Sequence, residues 1–278
     1  MFDVTWQIVA SGIVSPEGPA VDRDGNIFLV SRWTGKVVQV TSEGVVHELV
    51  DTGGKPQSVA LLPTGELLLA DAKNHVLQRM TRQGELTTIA SRVDGTSEEF
   101  LGPNDLVVGD DNVVYLTDPG LDLESPGQIL RIELDSGAVT RLAIGVAFPN
   151  GITINEDGRW LYVAESATAR VLRFELLDRG HHLGPAEVFI ELDGHLPDGI
   201  AFDAEGRLLI ACCGAGVLDV VASDGQLVAS IPAGGPGCTN CVFGGDDFQT
   251  LYITEDEQQA VLKTRWPVPG QRAYSRSL

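Results

Sequence analysis

The sequence predicts an all-β fold, a six-bladed β-propeller whose N-terminal strand closes the last blade, and three observations carry that expectation. A proline-polar-small tripeptide recurs as PEG at 16–18, PQS at 56–58, PND at 103–105, PNG at 149–151 and PDG at 197–199, with the proline-less TNC at 239–241 as a sixth copy. Each copy leads into the same series of short apolar runs and polar turns, and none sustains a helical period. Glycine accounts for 32 of 278 residues, as many tight turns between short strands require.

Within a repeat the tripeptide opens the first strand. A polar turn such as DRDGN, LPTGE, NEDGR or DAEGR leads to a second strand, seen as IFLV, LLLA, WLYVA or LLIA. A third, alternating strand follows, KVVQVT, HVLQRMT, QILRIEL, RVLRFEL or GVLDVVA, and a turn such as TSEG, TRQG or ASDG leads to a fourth. Four antiparallel strands in a period of 40–48 residues mark a propeller blade. The N-terminal VTWQIVA has no copy; it is expected to supply the outer strand of the last blade, which otherwise ends near KTRW at 263–266. Closure of that kind leaves no open seam between blades. No linker or shift of composition interrupts the chain, so residues 1–278 are read as one domain.

A formal charge of −20 repels phosphate backbones and anionic lipid, which argues against nucleic-acid and membrane partners and favours a cation. No window approaches the roughly 18 apolar residues of a membrane span, and MFDVTWQIVASG lacks the basic residues that precede a signal peptide's apolar run. A soluble cytoplasmic protein is expected, of open oligomeric state. Cys212, Cys213, Cys238 and Cys241 are read as small buried apolar residues. Zinc sites usually show two spaced pairs, and a redox C-x-x-C sits in a βαβ context absent here.

In a propeller the first strand of each blade lines the central channel. The repeat therefore sets Glu17, Gln57, Asn104, Asn150, Asp198 and Asn240 around one axis, every one with a side-chain oxygen. Turn chemistry alone would not select Glu17 and Gln57 at positions equivalent to Asn and Asp. Oxygen donors without nitrogen or sulfur suit one hard divalent cation, calcium first, with magnesium, manganese or zinc as alternatives.

The motifs PEGP, PNDLV, FPNGI and PDGIAFD, in this order and spacing, resemble the senescence-marker-protein, gluconolactonase and luciferin-regenerating-enzyme family of regucalcin-like six-bladed propellers, from about residue 14 to 265. The resemblance implies that Glu17, Asn150 and Asp198 hold one divalent metal and that Asn104 holds substrate or water beside it. It also implies hydrolysis of a lactone, a small-molecule substrate, with Asp198 as both ligand and general base. A ligating carboxylate can act as base only through a loosely held second oxygen. Animal sugar-lactonase members carry an arginine two residues before the Asn-Asp pair, where this chain has Gly102, which leaves room for a bulkier or less polar lactone.

Loops at the same face offer further substrate contacts. Trp33 in SRWTG and His75 in DAKNH are expected to line a pocket, and Asp118 in DPGLDLESPG to bond a hydroxyl; SRVDGTSEEFLG at 91–102 reads as an exposed loop, with a lid as the alternative. HELVD at 47–51 lacks the second histidine of a zinc protease, no G-x-S-x-G is present, and His181 and His182 fall in an outer turn. The leading reading is a metal-dependent lactonase. A propeller hydrolysing organophosphate esters stands second, and a non-catalytic propeller binding calcium or a partner third.

Overall fold

The computed structural model describes residues 2–278. Six antiparallel sheets follow one another around an axis as the blades of a propeller. Blade 1 comprises Pro16–Val21, Ile27–Ser31, Lys36–Val40 and Val46–Asp51. Blade 2 comprises Pro56–Leu61, Leu67–Asp71, Val76–Met80 and Leu86–Ala90, and blade 3 Leu106–Val108, Val113–Asp118, Pro126–Glu133 and Val139–Ala147. Blade 4 runs Pro149–Ile154, Trp160–Glu165 and Arg170–Leu177; its third strand pairs with both Glu187–Glu191 and the two-residue strand His182–Leu183. Blade 5 comprises Leu196–Phe202, Leu208–Cys213, Val217–Val221 and Leu227–Pro232. Blade 6 takes Cys238–Gly244, Thr250–Glu255 and Ala260–Arg265 from its own repeat, and its outer strand is Gln7–Ser11 from the N-terminus, as the sequence predicts.

Burial falls outward along each blade. Pro16–Val21, Pro56–Leu61, Pro149–Ile154 and Cys238–Gly244 are buried at every residue, because neighbouring blades cover both faces of an inner strand. The outer Val46–Asp51 is largely exposed. The apolar core is divided among six seams, one between each pair of consecutive blades. Leu68, Leu77, Leu116 and Leu130 fill the seam between blades 2 and 3, and Tyr162, Phe189, Phe202 and Leu208 that between 4 and 5. The seam between blades 6 and 1 holds Ala10, Val21, Leu29 and Tyr252, so the ring closes through the same packing that builds it.

The repeat does not foretell the path of residues 266–278. Trp266 is fully buried, stacked on Phe2 at 4.7 Å, and its indole N–H donates to Asp203 at 3.1 Å. The chain then crosses one end of the channel. Gly270 bridges to Asp203 of blade 5, and the Gln271 amide donates to the Ile154 carbonyl of blade 4 at 2.9 Å. Leu61 N–H of blade 2 donates to the Arg276 carbonyl at 3.0 Å, and Val21 N–H of blade 1 donates to the Ser277 hydroxyl at 2.8 Å.

Among the described residues, no helix is long and apolar enough to cross a membrane.

Candidate metal centre

Five of the six tripeptides form β-bulges. Pairing between first and second strands slips between Glu17 and Ala20, Pro56 and Ser58, Pro149 and Ile152, Pro197 and Ile200, and Cys238 and Asn240. In blade 3 the ladder starts only at Leu106, after the tripeptide. A bulge leaves one residue outside the ladder and re-aims its side chain, here toward the channel. The third, small residue answers a steric demand. A Cβ at Gly18 would overlap Ser58, one at Gly151 the Asp198 carbonyl, and one at Gly199 the Asn240 side chain, because the inner strands approach one another closely around the axis.

Slipped pairing also frees backbone carbonyls, and hydroxyls of the preceding blade take them up. Ser58 donates to the Asn104 carbonyl at 2.8 Å, Thr117 to Asn150 at 2.7 Å, Ser166 to Pro197 at 2.5 Å and Thr239 to Pro16 at 3.3 Å. The ring positions of blades 1, 3, 4 and 5 are thereby each held by the blade before.

Glu17, Gln57, Asn104, Asn150 and Asp198 converge on one cavity of about 220 Å3, and Gly102 lies in its wall. Asn240, the sixth member of the ring, is buried beneath, where its amide donates to Glu17 Oε1 at 2.7 Å and its Oδ1 accepts from Cys241 N–H at 2.9 Å. Glu17 Oε1 also accepts from Gly18 N–H at 3.0 Å, whereas Glu17 Oε2 is buried without any partner. The Asn150 side chain favours the ionised form of Asp198, weakly against the burial that opposes it. Burial raises the Glu17 carboxyl above the usual carboxylate range, opposed by the Arg32 guanidinium. Asp198 is held well above it, by burial first and then by the negative charge of Glu17. Two carboxyl groups that resist ionising in each other's presence, one with an orphaned oxygen, form a donor set that a divalent cation would satisfy. The residues present fit such an ion, and Glu17, Asn150 and Asp198, with Gln57 and Asn104 in the same wall, carry the oxygens that could hold it.

Several wall residues carry no signal in the repeat. Arg32 comes from the loop after the second strand of blade 1, anchored by Ser15 at 2.9 Å and Asp256 at 3.1 Å. Lys55 precedes the second tripeptide, and Leu121, Leu123, Phe148 and Leu196 add an apolar side. Cys213 also faces the cavity; burial and the charges of Asp198 and Glu17 push its thiol up to about 12.

The three loop residues expected at the substrate lie elsewhere. Trp33 stands 67% exposed outside the cavity, with the Lys55 ammonium 4.1 Å above its ring. His75 turns its Nδ1 to the Phe100 carbonyl at 2.9 Å. Asp118 is fully buried and accepts from Leu101 N–H at 2.8 Å, Gly102 N–H at 2.6 Å and the Gln128 amide at 2.6 Å, so it ties down the lead-in to blade 3 and lies outside the cavity wall. Related latches recur: Asp71 accepts from Lys55 N–H, Glu165 from Ala147 N–H and Glu255 from Gly237 N–H. The 91–102 segment is pinned by buried Val93 and Phe100, and only Gly102 among its residues reaches the cavity.

A separate cluster lies in blade 5. His195 Nδ1 is 2.9 Å from Asp219 Oδ2, Cys212 Sγ donates to the same oxygen at 3.4 Å, and Ser230 donates to Oδ1 at 2.5 Å. Burial pushes the Cys212 thiol far up, as expected of a small buried apolar residue, and the carboxylate is satisfied from within the cluster.

Comparison with known proteins agrees with this architecture. The chain is 26% identical to a gluconolactonase of Zymomonas mobilis subsp. mobilis over 93% of its own length and 81% of the relative's. It is also 26% identical to the diisopropyl-fluorophosphatase of Loligo vulgaris, covering 97% of this chain and 95% of that protein. It spans about half the length, 52%, of the strictosidine synthase-like 13 protein of Arabidopsis thaliana. The calcium-binding protein regucalcin from Agrobacterium tumefaciens superposes with a TM-score of 0.84 at 21% identity, over 98% of this chain and 96% of that one, and so shares the fold. The family model described as the SMP-30/gluconolactonase/LRE-like region matches residues 15–256, and with the ring of bulges in place the chain belongs to that family.

Proposed function

We propose that the protein is a divalent-metal-dependent hydrolase that opens a small lactone at the channel mouth. The observation that carries this reading is Glu17 Oε2, a buried carboxylate oxygen without a partner, in a cavity shared with Asn150 and Asp198. Glu17, Asn150 and Asp198 would hold the cation, calcium first, with magnesium, manganese or zinc as alternatives. When bound, it would supply Lewis-acid polarisation of a carbonyl oxygen and lower the proton affinity of water.

The remaining chemistry belongs to the chain. Asp198 opens onto the cavity, so a carboxylate oxygen of it not engaged by the cation is placed to accept a proton from attacking water. Asn104 lies beside it in the same wall and can orient water or the ring oxygen of a lactone. Arg32 and Lys55 put positive charge at one side, suited to the carboxylate that ring opening produces. Leu121, Leu123, Phe148 and Leu196 present apolar surface opposite, which with Gly102 favours a lactone bearing an apolar substituent over a polyhydroxy ring. Trp33, His75 and Asp118 have no direct role in this scheme.

A second reading, hydrolysis of an organophosphate ester, is favoured by the similarity to the squid fluorophosphatase over nearly the whole of both chains. The same experiment separates the two. Protein stripped with chelator is assayed on a lactone panel and a phosphotriester, with calcium, magnesium, manganese or zinc restored singly. Cation-dependent lactone turnover exceeding phosphotriester turnover is the expected result; cation binding without turnover of either would leave a binding protein.

A further inference from the structure

The segment that closes the channel also reaches the candidate metal centre. Arg276 is 5% exposed, and its guanidinium enters the channel from the end opposite the cavity. One prong, Nη1, donates to Asp105 Oδ1 at 2.6 Å in an ion pair shut away from solvent. The other, Nη2, donates to Asn240 Oδ1 at 2.6 Å.

The second contact determines which way the Asn240 amide faces. Cys241 N–H donates to the same Oδ1 at 2.9 Å, so two donors occupy that oxygen and the NH2 end must point the other way, to Glu17 Oε1 at 2.7 Å. With Gly18 N–H, this fills Glu17 Oε1 and leaves Oε2 as the oxygen without a partner. The backbone around Arg276 is itself held: Leu61 N–H donates to its carbonyl at 3.0 Å, and Leu278 N–H to the Val21 carbonyl at 2.9 Å. Asp105 is held in turn by Leu106 N–H and Ile152 N–H, so the guanidinium joins blades 3 and 6 across the axis.

We infer that Arg276 is a positioning residue for the metal centre: by fixing the Asn240 amide as a donor to Glu17 Oε1, it presents Glu17 Oε2 to the ion. This rests on the metal-site reading above. An outer partner that orients a ligand typically contributes about 10- to 100-fold to metal affinity. The planar fork holds one nitrogen on Asp105 and another on Asn240 in fixed directions, whereas a lysine offers a single nitrogen for both acceptors.

The test uses Arg276→Lys, Asn240→Ala and the double variant in the full chain, with calcium affinity read by titration calorimetry and folding by thermal melting. Each single variant is expected to bind calcium about 10-fold more weakly, and the double variant no more weakly than Asn240→Ala alone. Additive losses, or an affinity for Arg276→Lys equal to the parent's, would overturn the inference. A crystal structure of Arg276→Gln provides a reading independent of any ion. Its Asn240 amide should be rotated away from Glu17 Oε1, and an Asn240 unmoved there would also overturn it. If the parent protein bound no calcium, the metal-site reading would fail, and the crystallographic comparison would still decide the role of Arg276.

Discussion

In the proposed scheme, Glu17 and Asp198 carry the chemistry at the scale of single residues. Glu17→Gln keeps the shape and removes the charge, so calcium affinity should fall by more than about 100-fold, beyond the range of an outer-shell change. Asp198→Ala should abolish both calcium binding and turnover; metal-dependent activity at the parent's rate in that variant would rule out the assigned role. Their proton affinities also give a signed pH dependence. Both carboxyl groups are raised in the cation-free protein, and an unfolded carboxyl ionises at about pH 4. Above that point the native state binds more protons than the unfolded one, so this contribution to stability is present in acid and lost as pH rises through the native values. Denaturant unfolding of chelated protein should therefore show a stabilising share at about pH 5 that is absent at about pH 8, and saturating calcium should reverse the trend. Calcium binding should release protons, seen as a dependence of the apparent heat on the ionisation enthalpy of the buffer.

Elements, rather than single side chains, determine where these groups stand. Five of the six ring residues sit in or beside a bulge, and hydroxyls from the previous blade hold the positions in blades 1, 3, 4 and 5. Thr117→Val keeps the volume and strands the Asn150 carbonyl in a buried site, for an expected loss of about 1–3 kcal/mol by denaturant titration. Gly199→Ala should destabilise by a similar amount, about 1–3 kcal/mol, through its overlap with Asn240. The repeat made the strands legible because period-two alternation and turn glycines are local signals, and the tripeptides showed which residues share an axis. What it could not show is which ring members keep a free oxygen. Glu17 and Asn240 look alike as oxygen carriers in sequence, yet the Asn240 oxygen is consumed by Cys241 N–H and Arg276. Asp118 misleads for the same reason. Its place at a strand end is local information, whereas its capture by Leu101 and Gly102 depends on how a lead-in loop folds back.

For the whole molecule, stability is shared among six seams, and the last depends on two distant parts of the chain. Deleting residues 2–11 removes the outer strand of blade 6 and leaves Ala260–Arg265 as a bare edge. A lowered melting temperature and concentration-dependent association in size-exclusion chromatography are the expected outcomes. Arg276 and Trp266 lay outside what the repeat could reveal because they follow the last copy, and no periodic pattern announces where a single return segment goes. Gln271 and Arg276 are nevertheless buried at one end of the channel, and only a void of about 20 Å3 separates the return segment from the inner strands there. The return segment plugs that end, so the mouth is the expected route both in and out for a small molecule. In the proposed scheme the opened acid and its precursor occupy the same cavity, so double-reciprocal plots at rising concentrations of the acid should meet on the rate axis.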